Sequence, residues 1–118
     1  MKIVYGSRTG NVETFVGKLG LSNTMLIKNG SETVDEEFVL ITYTDGDGEL
    51  PYEVEEFLGN NANFIRGVAG SGDKDYGDNF CMAATIVSDQ YGVPVLATFE
   101  NDGERTDVEN FLAALKNL

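Results

Sequence analysis

Near the start of the chain, Tyr5-Gly6-Ser7-Arg8-Thr9-Gly10-Asn11 separates an apolar run from a segment with helical periodicity beginning at Val12. A loop of this kind, leading from a strand into a helix, stacks successive backbone N–H groups at the positive end of the helix. A phosphate is stabilised there without a lysine. Ser7, Thr9 and Asn11 add hydroxyl and amide donors along the same loop. It is neither the G-x-G-x-x-G of dinucleotide sites nor a Gly-Lys-Ser/Thr P-loop, so a monophosphate suits it better than a dinucleotide. The alternative is an ordinary Gly/Ser/Thr turn with Asn11 as the helix cap.

Two further stretches are rich in glycine and polar groups. Tyr43-Thr44-Asp45-Gly46-Asp47-Gly48-Glu49-Leu50-Pro51 must turn sharply or approach something closely. Asp45, Asp47, Glu49 and Glu56 also occupy the first, third, fifth and twelfth places of an EF-hand, which makes calcium a competing ligand. Against calcium, Leu50 holds the required glycine place, Pro51 follows it, and a strand precedes the loop. The third stretch runs from Gly70-Ser71-Gly72-Asp73 through Lys74-Asp75-Tyr76-Gly77-Asp78 to Asn79-Phe80-Cys81.

What is missing narrows the chemistry further. No histidine is present, and Cys81 is the single cysteine, so zinc centres, Ser-His triads, Cys-His dyads and an internal disulfide are excluded. Metal ligands are not expected. Twenty acidic residues against eight basic ones give a formal net charge of −12, which repels nucleic acid and anionic membrane surfaces. The same charge favours transient docking to a basic patch on another protein. No stretch approaches the ~20 apolar residues of a membrane span, and the N-terminus has no cleavage-site pattern, so a cytoplasmic protein is expected.

The elements that must position these loops can be read from apolar spacing. Strands are expected at Lys2–Tyr5, Met25–Lys28, Phe38–Thr42, Ile65–Ala69 and Val95–Phe99. Helical spacing connects Val12, Phe15, Val16 and Leu19; Val54, Phe57 and Leu58; Phe80, Ala83, Ala84, Val87 and Tyr91; and Val108, Phe111, Leu112, Leu115 and Leu118. Pro51 suits a first helical position, and Thr106 with Glu109 has capping-box spacing. The order β-α-β-β-α-β-α-β-α, with nearly all-apolar strands, predicts one α/β domain over residues 1–118, a parallel sheet covered by helices on both faces. Only the short polar link Asn29–Glu37 lacks a helix, so that crossover must be a trimmed one.

With these residues in view, Ser7-x-Thr9-Gly10-Asn11 resembles the phosphate loop of the flavodoxin family. Tyr76-Gly77-Asp78-Asn79-Phe80-Cys81 is similar to the segment of that family whose aromatic stacks on a flavin ring. The run Gly72-Asp73-Lys74-Asp75-Tyr76-Gly77, joined to Ile41-Thr42-Tyr43-Thr44 before a two-glycine loop, narrows the resemblance to the NrdI family, flavodoxin-like partners of class Ib ribonucleotide reductase. The short chain, trimmed crossover and short last helix fit it as well.

The resemblance implies a flavodoxin-like, doubly wound, five-stranded parallel sheet of order 2-1-3-4-5, a fold the ligand-crevice rule itself uses as its example. It implies FMN as cofactor. It also implies that the reduced flavin reacts with dioxygen and passes superoxide or peroxide to the dimanganese radical (beta) subunit of the reductase, where a tyrosyl radical forms. An unidentified flavin reductant would supply the electrons. Carried onto this chain, Ser7, Arg8, Thr9, Gly10 and Asn11 would hold the phosphate. Thr44, Asp45, Gly46, Asp47 and Gly48 would line the ring, Tyr76 would flank it, and Ser71, Gly72, Asp73, Asp78 and Phe80 would complete the site. The Gly46–Asp47 peptide would turn its carbonyl toward flavin N5 on reduction, a flip that glycine makes sterically cheap.

One departure from the family pattern is Asp47, a carboxylate where an apolar or aromatic residue is usual. With Asp45, Glu49, Asp73, Asp75 and Asp78 it would disfavour an anionic hydroquinone. Two other functions stay open on sequence alone: a short flavodoxin acting as a one-electron carrier, and a flavin-free or receiver-like domain on the same fold. Neighbouring genes for reductase subunits would favour the activator over the carrier. A receiver would want acids after the first strand, where Tyr5-Gly6-Ser7 has none.

Overall fold

The computed structural model describes all residues from Met1 to Leu118. Five parallel strands form one sheet: β1 (Lys2–Tyr5), β2 (Thr24–Leu26), β3 (Phe38–Tyr43), β4 (Ile65–Gly72) and β5 (Val95–Glu100), in the order β2-β1-β3-β4-β5. Four helices connect them: α1 (Asn11–Leu19), α2 (Tyr52–Asn61), α3 (Met82–Tyr91) and α4 (Arg105–Lys116). The expected order and parallel pairing are both present.

Alternation along the strands divides the core into two. Phe38, Leu40, Val4 and Val68 face α2 and α3, packing with Phe57, Leu58, Ala84 and Val87. Ile3, Val39, Ile41 and Ala69 face the other way, toward Phe15, Leu19 and Phe111 of α1 and α4. A strand of β3's type, buried on both sides, has to be apolar at every position, and Phe38–Ile41 are. The ring of Phe15 stacks on Phe99 at 3.8 Å and meets Phe111 edge-on at 5.9 Å, so α1, β5 and α4 share one aromatic joint.

The trimmed crossover between β2 and β3 holds its shape through polar groups. β2 ends at Leu26 rather than Lys28 because the chain turns out of the sheet there; the Ile27 N–H still donates to the Tyr5 carbonyl at 2.8 Å. The Glu32 carboxylate then accepts from the N–H groups of Lys28, Asn29 and Gly30 at 2.7, 3.3 and 3.0 Å. Buried Asn61, at the end of α2, accepts from the Val34 N–H and donates to the carbonyls of Glu32 and Phe57. Gly30 has φ 91° and a Cβ there would lie 2.7 Å from the Glu53 carbonyl oxygen, so only glycine fits beneath α2.

Other boundaries moved for identifiable reasons. β4 continues to Gly72 and β3 to Tyr43, because both find partners in the sheet beyond the apolar core. α3 starts at Met82 rather than Phe80: Phe80 is extended and Cys81 sits in the left-handed region at φ 54°. The capping box is Glu104 with Asp107, three residues apart like Thr106 and Glu109 but matched to a helix that starts at Arg105. Pro51 stands one place before α2, extended at ψ 141°, and Gly10 rather than Asn11 occupies the cap position of α1.

Burial alone would raise the carboxyl of Glu32, but the surrounding backbone N–H groups hold it below its usual value near 4.5. A carboxyl lowered by folding stabilises the fold above its unfolded value and loses that contribution as pH falls through the folded value. Chemical denaturation of wild type and Glu32→Gln should therefore differ most at neutral pH and converge as the medium is acidified below pH ~4. A gap that stays constant with pH would show that the carboxylate is not what the loop N–H groups recognise.

Candidate functional site

The carboxyl ends of β1, β3, β4 and β5 open into one cleft, at the place where the strand order reverses between β1 and β3. It is lined from β1 by Ser7, Arg8, Thr9, Asn11 and Val12, from β3 by Tyr43, Thr44 and Gly46, from β4 by Ser71, Gly72, Asp73, Tyr76 and Asn79, and from β5 by Asn101. Every loop that sequence reading singled out reaches this cleft.

At the β1 end the backbone is built to receive an anion. Gly6 must be glycine because a Cβ would come within 2.7 Å of Val54 in α2. Gly10, at φ 93°, reverses the chain into α1, and the first helical bond runs from Thr14 N–H to the Gly10 carbonyl at 2.9 Å. The Ser7 hydroxyl accepts from the Glu13 N–H at 3.4 Å. The N–H groups from Ser7 through Val12 donate to no protein acceptor at all, either backbone or side chain. They are the orphan donors of a helix start, extended by the preceding loop and gathered at a cleft.

The β3 loop is a tight hairpin. Asp45 and Glu49 pair antiparallel, with Asp45 N–H donating to the Glu49 carbonyl at 2.8 Å and Glu49 N–H returning to the Asp45 carbonyl at 2.7 Å. Gly46 and Gly48 both have positive φ, 50° and 119°, which is why this loop contains two glycines. The Gly46 N–H donates to the Asp45 carboxylate at 2.9 Å, while the Gly46 carbonyl and the Asp47 N–H bond to nothing in the protein. No cluster of three or more acidic or other metal-binding side chains forms, so Asp45, Asp47, Glu49 and Glu56 do not converge as an EF-hand would require.

Tyr43 stands at the hinge of this hairpin. Its hydroxyl donates to Glu53 of α2 at 2.5 Å. Burial, the hydrogen bond to Glu53 and that carboxylate's charge push the phenol well above its ordinary value, so it remains a protonated donor at any physiological pH. The far wall is set by the β5 loop: Asn101, left-handed at φ 54°, donates its N–H to the Gly72 carbonyl and accepts at its own carbonyl from the Ser71 hydroxyl. Lys18 of α1 caps the same loop on the carbonyls of Asp102 and Gly103.

Of the residues expected from sequence, Ser7, Arg8, Thr9, Asn11, Thr44, Gly46, Ser71, Gly72, Asp73 and Tyr76 line the cleft. Gly10, Asp45, Asp47, Gly48, Asp78 and Phe80 do not. Gly10 and Asp45 shape its loops from behind, Gly48 packs under Asn79, and Asp47 and Asp78 are exposed. Phe80 faces a neighbouring depression, with the Lys74 ammonium 5.9 Å from its ring centre. Sequence reading passed over Val12, Tyr43, Asn79 and Asn101 as wall residues. For Asn101 the only available signal was Asn-Asp-Gly after a strand, which reads as any turn.

The residues present suit a flavin mononucleotide. A row of free N–H groups flanked by Ser7 and Thr9 matches a phosphate monoester, the carboxamides of Asn11, Asn79 and Asn101 make no hydrogen bond to protein, and Tyr76, 58% exposed, offers an aromatic face at the mouth. Fold and cleft together define a flavodoxin-like protein. The chain matches the family described as NrdI flavodoxin-like over residues 3–113. It is 48% identical over 111 residues to the Protein NrdI of Bacillus licheniformis, an alignment covering 94% of this chain and 84% of that protein. This chain belongs to the NrdI flavodoxin-like family, and membership implies a flavin cofactor.

Solved structures agree on the fold. A short-chain flavodoxin associated with a PDU bacterial microcompartment superposes with a TM-score of 0.74 at 23% identity, covering 99% of this chain and 94% of that one. The flavodoxin of Streptococcus pneumoniae TIGR4 gives 0.62 at 28%, covering 98% and 94%. No helix is long and apolar enough to cross a membrane.

Cys81 lies behind the cleft, 2% exposed, its Sγ 3.4 Å from the Gly70 carbonyl. Burial pushes its thiol up to about 11, against smaller opposing effects of the Phe99 backbone and Lys74. An aromatic disulfide reagent at pH 8 should therefore label the native protein far more slowly than the denatured chain, with reactivity rising only toward pH 11. Rapid stoichiometric labelling at pH 8 would place a thiolate where packing forbids one.

Proposed function

We propose that this chain binds FMN in the cleft and serves as the flavoprotein activator of a class Ib ribonucleotide reductase. The observation that carries the reading is the uninterrupted row of unpaired N–H groups from Ser7 to Val12, opening into a cleft at the switch point of a NrdI-family sheet. FMN held there would, when reduced, supply electrons to dioxygen, and the resulting superoxide or peroxide would be the oxidant for the dimanganese radical subunit.

The chain's own residues do the rest. The N–H groups of the β1 loop would hold the phosphate without a formal positive charge, as a helix N-terminus does for other phosphate esters. Tyr76, exposed at the mouth of the cleft, would cover one side of the ring. The Gly46–Asp47 peptide can rotate without breaking a protein hydrogen bond, since neither its carbonyl nor its N–H has a partner, and Gly46 tolerates both conformations. Thr44 fixes the base of that loop by accepting from the Ala83 N–H at 3.1 Å. The net charge of −12 favours brief, steered encounters with a basic surface, which suits a protein that must reach both a flavin reductant and the radical subunit.

The test is an electron paramagnetic resonance assay. The FMN-loaded protein is reduced without oxygen, mixed with the cognate manganese(II)-loaded radical subunit, and then exposed to oxygen. A tyrosyl radical is expected only when the FMN-loaded protein is present. No radical, although FMN is bound and the subunit is loaded, would remove the activator role and leave a one-electron carrier.

A further inference from the structure

Arg8 belongs to the phosphate loop by position, yet its side chain leaves that loop. The guanidinium lies over the ring of Tyr43, 5.2 Å from its centre, and its Nη1 meets Asp45 Oδ1 at 2.7 Å. The same Oδ1 accepts from the Gly46 N–H, so a single carboxylate oxygen joins Arg8 to the first residue of the hairpin turn. Tyr43, the surface on which the guanidinium rests, is itself tied to α2 through Glu53. The free N–H groups from Ser7 to Val12 are thus left to face an incoming anion without the guanidinium.

We infer that Arg8 is a positioning residue that ties the hairpin Asp45–Glu49 to the phosphate loop, and not the counter-charge of the phosphate. The ion pair cancels both charges, and the guanidinium is already committed to a carboxylate and an aromatic face. Arg8 and Asp45 side chains are 58% and 37% exposed, so solvent screens the pair and its effect is a few-fold rather than orders of magnitude. The consequence is coupling between loops. Whatever holds the β1 loop in place also steadies the hairpin whose Gly46 lines the cleft.

The test uses the whole protein as Arg8→Gln, Asp45→Asn, the double variant and Arg8→Lys. Asp45→Asn keeps an oxygen for the Gly46 N–H and removes only the charge. In the flavin-free protein, amide hydrogen exchange at Gly48 and Glu49, whose N–H groups donate to the Asp45 carbonyl, should quicken about threefold in either single variant. It should quicken no further in the double variant, should recover in Arg8→Lys, and should leave β3 amides unchanged. The second readout rests on the flavin reading above: Arg8→Gln should weaken FMN and riboflavin by the same factor, because riboflavin lacks only the phosphate.

Unchanged hairpin exchange in Arg8→Gln would overturn the inference. So would a loss of about tenfold or more for FMN with riboflavin unaffected, which would return Arg8 to the phosphate. If the wild-type protein binds neither flavin, the flavin reading fails while the exchange measurement still decides the role of Arg8.

Discussion

Everything at the functional end of this protein depends on one arrangement: a chain that leaves β1, an interior strand of the sheet, and enters a helix while its N–H groups from Ser7 to Val12 stay unpaired by protein. Orphan donors normally cost free energy unless water or a ligand reaches them. Here they open onto the cleft, and the loop that carries them is held from below. Gly6 presses against Val54 with no room for a side chain, Gly10 takes a left-handed conformation, and Phe15 locks α1 to β5 and α4.

The rest of the fold supports that strand economically. A parallel crossover normally carries a helix, and β2 to β3 does without one because Glu32 and Asn61 satisfy the backbone that a helix would have satisfied internally. On the other side of the sheet, Lys18 and the Ser71 hydroxyl fix the β5 loop, which brings Asn101 to the cleft wall. The hairpin after β3 is closed by its own backbone pair between Asp45 and Glu49. Its turn peptide has no partner, and its outward tie is the exposed ion pair to Arg8. The loop of unpaired N–H groups and the hairpin with the free Gly46–Asp47 peptide therefore follow adjacent strands of one sheet.

Much of this was legible in the sequence because it follows from apolar periodicity. Phe38–Ile41 could only be a strand buried on both faces, and Val12, Phe15, Val16 and Leu19 could only be one face of a helix. The strand order came from the resemblance carried by Ser7-x-Thr9-Gly10-Asn11 and Gly72–Gly77, since periodicity says nothing about which strands are neighbours. What escaped was set by tertiary contacts. The bend at Phe80–Cys81 shortens α3, and the place of Asn101 in the wall depends on hydrogen bonds to Gly72 and Ser71, thirty residues away along the chain in the case of Ser71. Arg8 is the sharpest instance. Its position in the loop suggested a phosphate ligand, through the side chain or through the backbone amide alone, and the structure sets its side chain against Asp45 and Tyr43.

The central claim is that backbone N–H groups, rather than any cationic side chain, receive the phosphate of a bound flavin. The most direct measurement is a nuclear magnetic resonance titration of the nitrogen-15-labelled apoprotein with FMN and, separately, with riboflavin. The account predicts large downfield amide-proton shifts within Ser7 to Val12 with FMN and their absence with riboflavin. Saturating FMN that leaves those resonances in place, while shifting others, would put the phosphate elsewhere and contradict it.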